Sequence, residues 1–210
     1  MAAFAAASSR APSSRGASDS GDQAQSRASN ALAENRPVDA PPGFVAHEDF
    51  DGVKTFTQSA SGFTVSLAHG WRLLPDAKLD RNTLLMAVDA KPSYKLASNR
   101  PGPLVLIHSF RYGQPLAPRR FFQNLRRNFA SQDETVGEVR STVALVEAGR
   151  AFVLRFTQEV KGIGLVRYST YSVVRDARAY QVAFTVPAGH ATEYQPVFSK
   201  MARTIAFQAP

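Results

Sequence analysis

The chain has 210 residues, 44% of them apolar and 14 of them Phe, no Cys, and a formal net charge of +8. That length suits one ordinary domain with an appendage. The missing cysteines exclude disulfides, thiolate nucleophiles and cysteine-zinc sites together. The lack of any apolar run of about 20 residues excludes a helical membrane span.

Charge is unevenly placed. Residues 1–43 hold Arg10, Arg15, Arg27 and Arg36 against Asp19, Asp22, Glu34 and Asp39, so this stretch is neutral. The positive excess therefore belongs to residues 44–210, and a basic fold calls for an acidic partner, an anionic lipid or nucleic acid. Rich in Ser, Ala, Arg and Pro, residues 1–43 cannot bury enough surface to offset their ordering entropy, and they read as a disordered tail. Its opening, Met1 to Arg10, fits the end of a secretory signal, an organelle transit peptide or a plain low-complexity linker.

Residues 44–210 read as one domain. Gly62-Phe63-Thr64-Val65-Ser66-Leu67 alternates apolar and polar residues and predicts a strand. His69-Gly70 turns the chain, and Trp71 follows as a large anchor. Leu84–Val88 is a second strand. Leu104–Phe110 is a third, and its near-continuous apolar run suits a buried central position. Three prolines within residues 91–103 predict a loop between them.

Pro118 to Ala130 predicts a helix. Phe121, Phe122, Leu125 and Phe129 share one face, and Arg119, Arg120, Gln123, Arg126 and Arg127 share the opposite one. Pro118 suits the first turn. Thr142–Val146 and Phe152–Phe156 flank a hairpin turn at residues 147–150. Leu165–Val174 and Ala179–Val186 flank another at Arg175–Arg178. A last helix carries Tyr194, Val197, Phe198 and Met201, with Pro196 expected in its first turn or before its start. The order β-β-β-α-β-β-β-β-α implies an antiparallel sheet covered by helices, an α+β sandwich.

The segment Gly62-Phe63-Thr64-Val65 through Gly70-Trp71 resembles the opening of PsbP-like domains. The ending resembles theirs too: Arg178-Ala179-Tyr180, an apolar strand, a final helix and Thr204-Ile205-Ala206-Phe207. The resemblance spans residues 60–208. That superfamily takes in an extrinsic photosystem II protein of the thylakoid lumen, Ran-binding Mog proteins and bacterial envelope proteins such as DcrB. It implies an α/β/α sandwich whose mainly antiparallel central sheet has about six to seven strands, with helices on its faces. It also implies a partner-binding protein with no shared catalytic site, exported to a bacterial envelope or a thylakoid lumen. With no Cys in this sequence, lipid attachment is set aside unless a segment precedes Met1.

Catalytic and metal motifs are sparse. The four histidines, His47, His69, His108 and His190, form no His-Glu-x-x-His motif, and no Gly-x-Ser-x-Gly elbow is present. His108 lies inside an apolar strand, as a sheet histidine does. His47-Glu48-Asp49-Phe50-Asp51 offers imidazole and carboxylates to a metal, or it is a solvated approach to the domain. Gly162-Ile163-Gly164 precedes a strand rather than a helix, so it reads as a turn and not a phosphate loop. No cofactor motif is present.

Arg119, Arg120, Arg126 and Arg127 are the leading candidate surface, suited to an acidic protein or a membrane-associated complex because guanidinium forks pair with carboxylates and phosphates. The helix turns its aromatics the other way, which argues against nucleic acid. The alternative is a small-ligand or hydrolytic pocket beside Trp71 and Tyr94, between the sheet and the Pro-rich loop.

Overall fold

The computed structural model describes residues 36–37, 39–74, 81–91, 95–96, 100–101, 103–132 and 135–208. Fourteen strands and two α-helices are found among them. The first four strands are β1 (Arg36–Pro37), β2 (Phe44–Glu48), β3 (Lys54–Gln58) and β4 (Phe63–Leu67). They form a small antiparallel sheet that the last strand, β14 (Ala206–Phe207), completes beside β4. Of the expected tail, residues 1–35 and 38 lie outside the described residues, and Arg36–Pro37 pair with Glu48 and His47.

After β4 the chain turns at Gly70, whose φ of +84° favours glycine. It enters a second sheet through β5 (Trp71–Leu73) and β6 (Thr83–Asp89). The Pro-rich stretch carries a two-residue ribbon, β7 (Lys95–Leu96) against β8 (Arg100–Pro101). Then come β9 (Leu104–Arg111), α1 (Pro118–Ala130), β10 (Thr135–Val146), β11 (Gly149–Val160), β12 (Gly164–Arg175), β13 (Arg178–Pro187) and α2 (Ala191–Arg203). The large sheet has seven antiparallel strands in the order β10-β11-β12-β13-β9-β6-β5. Strand β9 is central, as its apolar run predicts.

Register explains the core. Val153, Tyr171, Val182, Ile107 and Leu85 are successive cross-strand partners from β11 to β6. All five are buried. Because side chains alternate, this row marks the inner face of the sheet. Against it pack Phe56, Phe63 and Val65 of the small sheet and Tyr194, Phe198 and Met201 of α2. The outer face of β10 and β11 presents Val139, Leu154 and Phe156 to Phe122, Leu125 and Phe129 of α1. Phe129 stacks on Phe156 with centroids 4.4 Å apart, and Phe122 on Phe152 at 4.5 Å. The molecule is thus an α+β sandwich with α1 on one face of a seven-stranded antiparallel sheet and α2 on the other.

Three expectations need correction. The inner layer is shared between α2 and a second sheet, and the strand starting at Phe63 belongs to that small sheet. Phe44 and Ala46 are buried in β2, so the approach expected at His47–Asp51 is partly a strand. Its hairpin tip is held by the Asp49 carboxylate, which accepts from the Asp51 and Val53 N–H groups at 3.0 and 2.8 Å. Finally, Pro196 lies inside α2 rather than at its start. Proline ends helices by deleting one bond. Here burial of Tyr194, Phe198, Met201 and Ala202 outweighs that loss.

Candidate functional site

Two basic surfaces lie on opposite faces of the large sheet. The first is α1. Its packing against β10 and β11 leaves Arg119, Arg120, Arg126 and Arg127 exposed. The helix contains no acidic residue, and none of these four arginines pairs with an acid among the described residues. Arg119 and Arg120 stand in the first turn, where the helix dipole is already positive and an acid would be stabilising. That end has no side-chain cap, since Ala117 precedes Pro118. The helix therefore concentrates positive charge at some cost to its own stability.

Register builds the second surface on the inner face of β10, β11 and β12. Arg140 and Arg155 are direct cross-strand partners. Arg155 faces Ser169, and Arg167 faces Thr157, so Arg167 lies diagonal to Arg155. Directly opposed residues have Cβ atoms about 5 Å apart, and diagonal ones about 7–8 Å. Three guanidinium groups consequently share one cleft of about 520 Å³, lined also by Ser141, Thr142 and Gln195 of α2. Among the described residues no carboxylate lines it.

Glu138 reaches Arg140 only at 4.0 Å, and both side chains are about three-quarters exposed (77% and 73%). Such a pair contributes little. Arg167 donates to the Thr157 hydroxyl at 3.1 Å. Burial, then Arg155 and Arg140, lower the Arg167 pKa from the usual arginine value. Among the described residues the buried Nε of Arg155 has no hydrogen-bond partner. An unmade buried bond costs about 1–3 kcal/mol, and like charges in direct opposition add to that.

A bulge helps to aim this cluster. The β10–β11 register shifts between Val136 and Arg140, where Gly137 adopts φ +82°. The shift leaves Val139 buried on the outer face and Arg140 on the inner one. None of the three arginines stands out in the sequence as a site. The available signal was an Arg on the inward parity of otherwise apolar strands, as in Val153-Leu154-Arg155 and in Arg167 ahead of Tyr171 and Val173.

The other expected locations are placed as follows. Trp71 is 3% exposed and meets Phe198 edge-on at 6.2 Å. Tyr94 lies outside the described residues. His108 is buried in β9, with Nδ1 3.1 Å from the Thr83 hydroxyl. It belongs to a registered row of polar residues, Ser172, Gln181, His108 and Thr83, on the outer face. Gly162 occupies the β11–β12 turn. Among the described residues no three His, Asp or Glu side chains gather as a metal site, and no helix is long and apolar enough to cross a membrane.

A seven-stranded antiparallel sheet between α1 and the layer of α2 and the small sheet is the PsbP-like fold. LpqN of Mycobacterium tuberculosis, involved in cell envelope biogenesis, superposes with a TM-score of 0.54 and 14% identity, over 84% of this chain and 91% of that one. Cyanobacterial PsbP (CyanoP) of Synechocystis sp. PCC 6803 superposes with a TM-score of 0.52 and 8% identity, over 74% of this chain and 92% of that one. No family model and no curated protein sequence matches the chain. At identities this low the likeness shows the fold alone.

Proposed function

We propose that the protein is a non-catalytic accessory protein that docks an acidic protein, or an acidic face of a membrane-associated complex, through the outward arginines of α1. The observation that carries this reading is that, among the described residues, no acid pairs with Arg119, Arg120, Arg126 or Arg127, on a helix whose apolar side is already committed to the sheet. Four forked cations on one helix suit carboxylates on a partner. The fold supports a binding role, because it is shared with an envelope-biogenesis protein and a PsbP protein. Export to a bacterial envelope is part of this proposal, with a thylakoid lumen as the alternative compartment.

The test is a tagged pull-down from the native organism at low and high salt, with Arg126→Glu/Arg127→Glu alongside the unaltered chain. The expected result is an acidic partner held at low salt and lost at high salt, because exposed charges are screened over about 10 Å at 0.1 M. The double variant loses it at both. A partner that the double variant still holds at low salt removes α1 from the interface. An empty pull-down at both salts removes the docking role itself.

A further inference from the structure

We infer that the cleft formed by Arg140, Arg155 and Arg167 is a binding site for the phosphate group of a small phosphate ester. It lies on the opposite face of the sheet from α1, so it stands or falls separately from partner docking.

Three features point this way. First, the arginines come together through pairing register and not by chance proximity of loose surface chains. Arg140 opposes Arg155 across β10–β11, and Arg167 sits diagonal to Arg155 across β11–β12. Strand residues are held more firmly than loop residues, and binding sites need that firmness. Second, the positive charge is uncompensated. Among the described residues no carboxylate lines the cleft, Glu138 engages only the exposed rim arginine at 4.0 Å, and the buried Arg155 Nε lacks a partner. A sheet evolved for stability alone would place an acid or an apolar residue at one of these positions. Third, the shape fits. The volume of about 520 Å³ exceeds the needs of a bare inorganic ion and lies within the range of small-molecule sites.

The chemistry favours phosphate over a single carboxylate. A phosphate dianion has three terminal oxygens, so it can accept from several guanidinium groups arriving from different strands. Arg155 and Arg167, half-buried, form the floor. Arg140, on the exposed side, closes from the rim. Thr142 adds a hydroxyl beside them, while Gln195 of α2, engaged with Ser199 at 3.0 Å, forms a wall. The ester's organic body extends along the remaining cleft.

The source of the phosphate is either a free ester or the headgroup of a lipid, and the experiment separates them. Calorimetric titration of the full chain uses glycerol 3-phosphate and glucose 6-phosphate in one arm. The other arm uses phosphatidylcholine vesicles with and without phosphatidic acid. Ionic strength is held constant so that non-specific attraction is equally screened. Saturable binding is expected in at least one arm. Arg155→Gln and Arg167→Gln each weaken it by about tenfold or more, as the loss of charge-assisted bonds predicts. Arg126→Glu/Arg127→Glu leaves it unchanged. Arg140→Gln, at the exposed rim where folding is not at stake, weakens it as well and carries the test should an inner variant fail to fold. Binding of the soluble probes assigns a free ester. Binding of phosphatidic acid vesicles alone assigns a lipid headgroup. No saturable binding in either arm, or binding that survives all three cleft variants, overturns the site.

Discussion

At the scale of single residues, three residues of the PsbP resemblance, Phe63, Tyr180 and Phe207, form one aromatic cluster. Phe63 stacks on Tyr180 with centroids 4.6 Å apart and rings within 6° of parallel. Phe207 meets both edge-on, at 5.7 and 5.4 Å, and the Arg175 guanidinium lies 5.0 Å above its ring. Gly62 admits this arrangement. It has φ +67°, and a Cβ there would lie 2.6 Å from the Gln208 carbonyl oxygen. A side chain would push the C-terminal strand away. Within the cluster the Tyr180 hydroxyl is buried and, among the described residues, has no hydrogen-bond partner. Removing a buried, unsatisfied group relieves its desolvation cost. Tyr180→Phe should therefore leave stability unchanged or raise it by about 1 kcal/mol, measured by urea unfolding. Phe63→Ala, which empties the centre of the same cluster, should cost about 3–5 kcal/mol. A clear loss in Tyr180→Phe would instead show that the hydroxyl has a bonding partner in solution.

At the scale of elements, α1 and α2 differ in how plainly they can be read. The period that groups Phe121, Phe122, Leu125 and Phe129 also fixes which arginines face water, so α1 was legible with its ends. In α2 the period was equally clear but the start was not, because Pro196 suggested a later one. The helix begins five residues earlier, at Ala191, and runs through the proline on an exposed side. In an ideal helix the N–H of residue 196 would reach the Thr192 carbonyl, and both Thr192 and Pro196 are exposed residues. Pro196→Ala should restore that bond and stabilise the protein by about 1–2 kcal/mol, less than the ~3 kcal/mol of a fully interior proline. The melting temperature should rise by about 2–4 °C per kcal/mol for a chain of this size. No rise would mean that the helix starts after Pro196 in solution. The arginine cleft was illegible for a different reason. Arg140, Arg155 and Arg167 stand on three strands, and only the register through Ser169 and Thr157 reveals that they meet. The α1 stripe, by contrast, lies within one turn-repeating segment.

At the scale of the whole molecule, the central sheet was legible because its middle strands are buried on both faces. That burial writes near-continuous apolar runs into Leu104–Phe110 and Gln181–Val186. Of the small sheet, β4 was legible by its alternation but β2 and β3 were not. Their buried residues, Phe44, Ala46 and Phe56, are few, with an exposed Val45 between the first two and threonines on both sides of the third, and the β2–β3 tip carries Glu48, Asp49 and Asp51 beside a 94% exposed Phe50. What joins the two sheets is the segment after α2. The Ala148 N–H donates to the Ile205 carbonyl at 2.7 Å and that of Glu147 to Arg203 at 3.0 Å, which ties the β10–β11 turn. The Ser66 N–H donates to the Thr204 hydroxyl at 2.8 Å, and Ala206–Phe207 pair with β4. Between these contacts the Ile205 side chain is wholly buried in the main core. A clasp on both sheets should make them unfold together, although only one of them holds the single Trp. Ile205→Ala should cost about 2–5 kcal/mol. Loss of Trp71 burial, followed by fluorescence, should still coincide with loss of far-ultraviolet ellipticity, and calorimetric and van't Hoff enthalpies should stay equal, as they do for one cooperative unit. If the variant instead melts in two steps, the small sheet is held by the clasp alone. The shared core of Phe56, Phe63 and Val65 would then be too weak to couple it to the seven-stranded sheet.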